Sequence, residues 1–140
     1  MEKKEIAELF MKGIDCSQVG AFAEELGITT EEAYKMSAAF GGGMGLGETC
    51  GAVVGAMIVL GLKYGHCEVE HMEQKDIMNA KRAEFLQKFQ EKYAVCNCKG
   101  LLKHDISKPE EMQKILDEGL LFDFCPEVVK DSITILKEIF

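Results

Sequence analysis

Between Glu2 and Lys12 the apolar residues Ile6, Leu9 and Phe10 recur at the spacing of one helix face, and Gly13 closes the segment. Asp15 then reads as the N-cap of a second helix that reaches Leu26 and is stopped by Gly27. Thr29 and Glu32 carry the capping-box signature, which predicts a short helix to about Ala39. A fourth helix is expected from about Thr49 to Lys63. A long fifth one should run from about Val69 to Val95, with Phe85, Phe89 and Tyr93 stacked at intervals of four. Ser107-Lys108-Pro109-Glu110 combines a capping box with proline at the first helical position, so a sixth helix should start there and end near Gly119. Pro126 marks the first position of the last helix, where Val129, Ile133, Leu136 and Phe140 line one face. Outside the glycine-rich stretch no five residues alternate with period two. The expectation is an all-α fold, one domain over residues 1–140, with about six to seven helices around a central apolar, Gly/Ala-rich helix.

That central segment, FGGGMGLGETCGAVVGAMIVLGLKYG over residues 40–65, admits three readings. As a membrane span it is too short, because only 14 uncharged residues separate Glu48 from Lys63 and a crossing needs about 20. As a phosphate loop it lacks both GxGxxG and GxxxxGK[ST], and Glu48 sits where a phosphate would bind. A backbone nest at Gly43, Gly45 and Gly47 stays open as a cofactor-binding device. The third reading is a backbone device serving Cys50: glycines let main-chain N–H groups approach the sulfur, and the first turn of a helix favours thiolate.

Composition narrows the choice. A hydrophobic share of 47% with only two prolines describes a folded chain, and a net charge of −8 without a basic run argues against nucleic-acid binding. The amino-terminal MEKKEIAELF has no uninterrupted apolar core of the kind a secretory signal needs, which predicts a cytoplasmic protein. Six cysteines, at 16, 50, 67, 96, 98 and 125, are then the unusual feature. In a reducing compartment so many thiols point to redox chemistry or metal binding rather than to static disulfides. For Cys67 the plainer reading, a small buried hydrophobe, is preferred.

Cys16, Cys50 and Cys125 each fall at an expected helix N-terminus, and Cys16 and Cys125 share faces with apolar residues that point to the core. The three sulfurs are therefore expected to converge. Cys96-Asn97-Cys98, at the expected end of the long helix, is a weaker signal than C-x-x-C. His66, His71 and His104 lie in polar stretches and read as solvated.

These thiols stand in a pattern that resembles the family of redox-active proteins named for their C_GCAxxG_C_C cysteines. The likeness is carried by DCSQVGAFAEELGI around Cys16, AAFGGGMGLGETCGAVVGAMIVLGLKYG around Cys50, CKGLL at Cys98 and FCPEVVKDSITIL at Cys125. It departs from the name at Gly51, which follows Cys50 where the pattern writes alanine, and in the additional Cys67 and Cys96. The resemblance implies that Cys16, Cys50, Cys98 and Cys125 are the functional thiols.

Two functions follow as expectations. In the first, with Cys50, Cys125, Cys16 and Cys98 as the catalytic set, Cys50 or Cys125 attacks and a neighbouring thiol resolves to a disulfide. In the second, Cys16, Cys50, Cys98 and Cys125 hold zinc or an iron–sulfur cluster in a site that the fold must assemble, since 33, 47 and 26 residues separate them. A helical interaction protein with incidental cysteines is the third reading. The sequence names no substrate, redox partner or electron donor, and leaves a homodimer open.

Overall fold

The computed structural model describes residues 1–140. Nine α-helices carry the chain: α1 Lys3–Met11, α2 Gln18–Ala21, α3 Ala23–Leu26, α4 Thr30–Ser37, α5 Gly51–Tyr64, α6 Met72–Tyr93, α7 Cys98–Leu102, α8 Pro109–Asp117 and α9 Phe124–Ile139. A 3-10 turn at Leu120–Phe122 precedes the last of them, and there is no strand. The fold is all-α, with more and shorter helices than the six to seven expected.

One expected cap forms as written, and α1 adds one that was not expected. Thr29 accepts from the Glu32 N–H while the Glu32 carboxylate takes the Thr29 N–H, and Glu2 and Glu5 make the same reciprocal arrangement at α1. The other starts shift. Asp15 caps nothing: Ser17 holds the N-cap position of α2, and the expected second helix breaks at Phe22 into α2 and α3, where the Phe22 ring packs on Phe140. Lys108 rather than Ser107 holds the N-cap position of α8, and the expected capping box does not form because the Ser107 hydroxyl donates to Asp105. Helix α9 begins at Phe124, so Cys125 is its second residue and Pro126 its third. Proline lacks only an N–H that goes unpaired throughout the first turn, so it does not fix which of those positions it takes.

Helix α5 packs against α2, α3, α4, α6 and α9, and α9 against α1, α2, α5 and α6. These two helices together form the centre. Ala52, Val53, Ala56, Val59 and Leu60 of the first meet Val129, Ile133 and Leu136 of the second in one core cluster. The far end of α5 emerges at Leu62, which is 41% exposed. Long α6 is held chiefly by Phe85 and Phe89, both fully buried, each contributing about 1.5–3 kcal/mol of burial. Its last turn is tied down by Asp131 of α9, which accepts from the Tyr93 hydroxyl and lies 3.0 Å from Lys92 Nζ. No helix is long and apolar enough to cross a membrane.

Candidate functional site

The chain between α6 and α7 determines where Cys50 stands. Ala94 takes φ +68 and ends the long helix at Tyr93, two residues before the expected limit. Asn97 then starts α7, its side chain accepting the Gly100 N–H at 2.6 Å. Thr49 and Asn97 pair as a single antiparallel bridge: the Cys50 N–H donates to the Cys96 carbonyl at 2.8 Å, and the Cys98 N–H to the Glu48 carbonyl at 2.6 Å. Cys50 thus lies directly across from Cys96, and Cys98, two residues further on, lies across from Glu48.

Side chains that sequence reasoning passed over fix the turn that follows. Gln18, wholly buried, donates to the carbonyls of Gly51 and Ala52 at 2.9 and 3.1 Å. Ser132 of α9 donates to the same Ala52 carbonyl at 2.9 Å. Ser37 reaches from α4 to the Cys16 carbonyl at 3.3 Å. Buried polar residues within apolar faces were the available signal, since each must find a partner.

The result is a cavity of about 270 Å³ with Cys16, Cys50, Cys98 and Cys125 all on its wall. Gly41, Gly42, Gly43 and Gly45 form one side of it; Leu101, Ile106 and Phe124 contribute to the apolar remainder. Gly47 does not line it and packs instead beside Lys99 and Asp105. Gly42, Gly43, Met44 and Gly45 all take left-handed φ of +60 to +72, a run that suits glycine and strains only Met44. A side chain at Gly51 would stand 2.5 Å from the Cys16 sulfur, so the glycine after Cys50 makes room for the first thiol. A side chain at Gly41 would meet the Asp15 carboxylate at 1.9 Å, which is how that acid comes to face the cavity.

All six cysteines are free thiols. Cys50 is the N-cap of α5, Cys98 the first residue of α7 and Cys125 the second of α9; Cys16 precedes the cap of α2. Three sulfurs at helix starts is the expected number, with Cys98 in the place assigned to Cys16. The expected lowering of their pKa is reversed. Burial pushes Cys16 and Cys125 up to about 12 and Cys98 up to about 11, with the neighbouring acid charges and the Cys50 sulfur adding to the rise. Burial raises Cys50 as well, but the backbone N–H groups of Ala52 and Val53 favour its thiolate and pull the other way. Those donors belong to α5, not to the glycine loop as expected.

Cys96 is half-buried off the cavity, and Cys67 is exposed in the loop before α6 rather than buried. Glu48 stands outside, 3.5 Å from Lys99. His66 and His71 face one another 5.3 Å apart in that same exposed loop, and His104 pairs with Glu118; none lines the cavity. Nowhere do three or more His, Cys, Asp or Glu side chains group as a metal ion requires.

Four thiols brought to one apolar cavity, three of them at helix starts, define a class of cysteine-centred all-α proteins. Residues 14–139 match the family described as "Putative redox-active protein (C_GCAxxG_C_C)", and the chain belongs to that family. Comparison with curated proteins and with solved structures finds no match.

Proposed function

We propose that the protein is a thiol–disulfide redox protein of a reducing, cytoplasmic setting, folded as one domain, in which Cys50 forms a reversible disulfide with another thiol of the cavity. The observation that carries this is the shared wall: Cys16, Cys50, Cys98 and Cys125 come from four separate elements and meet at one cavity. Cys50 is the attacking thiol because it alone of the four has backbone N–H groups, those of Ala52 and Val53 at the start of α5, that favour its thiolate against burial. Its charge bears on Cys16, Cys98 and Cys125, which marks it as the member near all three. The thiolate attacks an oxidised sulfur, and a second cavity thiol resolves the mixed disulfide, giving two electrons to the acceptor.

Thiol titration before and after mild peroxide treatment tests it. The wild type and Cys67→Ser should each lose two titratable thiols reversibly. Cys50→Ser should lose none by that route. Equal loss in Cys50→Ser would remove Cys50 from the reaction.

A further inference from the structure

The cavity wall has a chemistry of its own. Fourteen of its 20 residues are hydrophobic. No lysine, arginine or histidine lines it, although the chain carries 16 Lys and Arg and three His. The only charged side chain on the wall is Asp15. That carboxylate takes part in none of the protein's ion pairs or side-chain hydrogen bonds, which run through Lys3, Lys35, Lys81, Lys88, Lys92, Lys99 and others away from the site. It lies close enough to Cys16 and Cys125 for its charge to bear on both. An anion entering here would leave its hydration, find no cation and meet a fixed negative charge. Phosphorylated cofactors and carboxylate-bearing disulfides are therefore poor occupants. At about 270 Å³ the space also falls just below the roughly 300–1,000 Å³ of sites for drug-sized ligands.

Building on the thiol-exchange reading, we propose that the cavity takes a small disulfide with an apolar arm and no negative charge, and that Asp15 with the apolar wall sets this selectivity. An uncharged arm rests against Leu101, Ile106 and Phe124; an amine-bearing one gains Asp15 as a partner. The Cys50 thiolate attacks one sulfur of the substrate. The substrate S–S bond breaks, and one half departs as a thiolate that takes up the proton Cys50 gave away. A second cavity thiol then attacks the Cys50 sulfur, its own proton going to the other departing half. Two cysteine thiols become one disulfide and the substrate disulfide becomes two thiols, so two electrons and two protons pass outward.

Cys67 supplies the internal standard. It is exposed, with Glu68 next to it and Glu70 three residues on, so it already has acidic neighbours in sequence outside this cavity. Fully reduced full-length protein is mixed at pH 7 with dithiodipyridine, uncharged and aromatic, or with dithiobis(nitrobenzoate), which carries two carboxylates. Timed quenching and peptide mass spectrometry give a rate for the cavity thiols and for Cys67 with each reagent. The preference for the uncharged reagent should be at least about tenfold greater at the cavity than at Cys67. Asp15→Asn should shrink that excess several-fold. Were Asp15→Asn not to fold, the wild-type comparison with Cys67 decides alone. Equal preferences at the cavity and at Cys67 overturn the selectivity. If peroxide still links two cavity cysteines in that case, thiol exchange stands without it. If no reagent and no peroxide links them, both fall.

Discussion

Cys50 is under two opposed influences, burial and the N–H groups of Ala52 and Val53, and burial is the larger. Its pKa therefore stays above the ordinary thiol value, and at neutral pH the reactive thiolate is a minor species. The sign follows directly: lowering the pH removes thiolate, raising it restores thiolate. Alkylation of Cys50 in folded, reduced protein should accelerate about tenfold per pH unit between pH 6 and pH 8, all of which lies below its pKa. Exposed Cys67 should be modified before it at pH 7. A rate for Cys50 that is flat over that range would mean that the helix start outweighs burial after all. The sequence placed sulfurs at helix starts but could not weigh burial against the helix field, because the apolar wall around them is assembled from residues as distant as Phe10 and Val129.

Among the elements, the glycine stretch and α5 carry the most specific consequences. Met44 is the one non-glycine in the left-handed run 42–45 and is 49% exposed, so its side chain contributes little packing there. Met44→Gly relieves about 1–2 kcal/mol of backbone strain against roughly 0.5–1 kcal/mol of added chain entropy, and should raise stability by up to about 1.5 kcal/mol in chemical denaturation. Gly51→Ala should act in the opposite direction, since its methyl group would be 2.5 Å from the Cys16 sulfur. Loss of roughly 1–3 kcal/mol is expected, together with faster alkylation of the displaced Cys16. Unchanged stability and unchanged Cys16 reactivity would show that the close approach does not hold. Helices with a continuous periodic face, such as α1 and α9, were legible in the chain to within two residues. Short ones were not: five-residue α7 depends on the Asn97 cap and on the bridge to Thr49, and neither leaves a periodic trace.

For the molecule as a whole, the buried thiols link stability to alkaline pH. Cys16 and Cys125, both raised from 9.0 to about 12, keep their protons in the folded state over a range where the unfolded chain has lost them. Their contribution is complete below about pH 9 and is lost as pH climbs toward 12, by roughly a few kcal/mol per thiol. The melting temperature should fall steeply over that window, and less so in Cys125→Ser. A flat profile to pH 11 would contradict the burial of these sulfurs. The convergence of distant cysteines is also a property of this scale. Periodicity gave the inward faces of Cys16 and Cys125, whereas the place of Cys98 in the cavity depends on a main-chain bridge between residues 48–50 and 96–98.

The central claim is that cavity thiols, and Cys50 among them, exchange electrons as a disulfide. Peptide mapping under non-reducing conditions, after reduced protein meets one equivalent of peroxide, tests it most directly. A single internal disulfide joining Cys50 to Cys16, Cys98 or Cys125 is expected, with Cys67 outside it. Six free cysteines, or a bond formed only through Cys67, would contradict it.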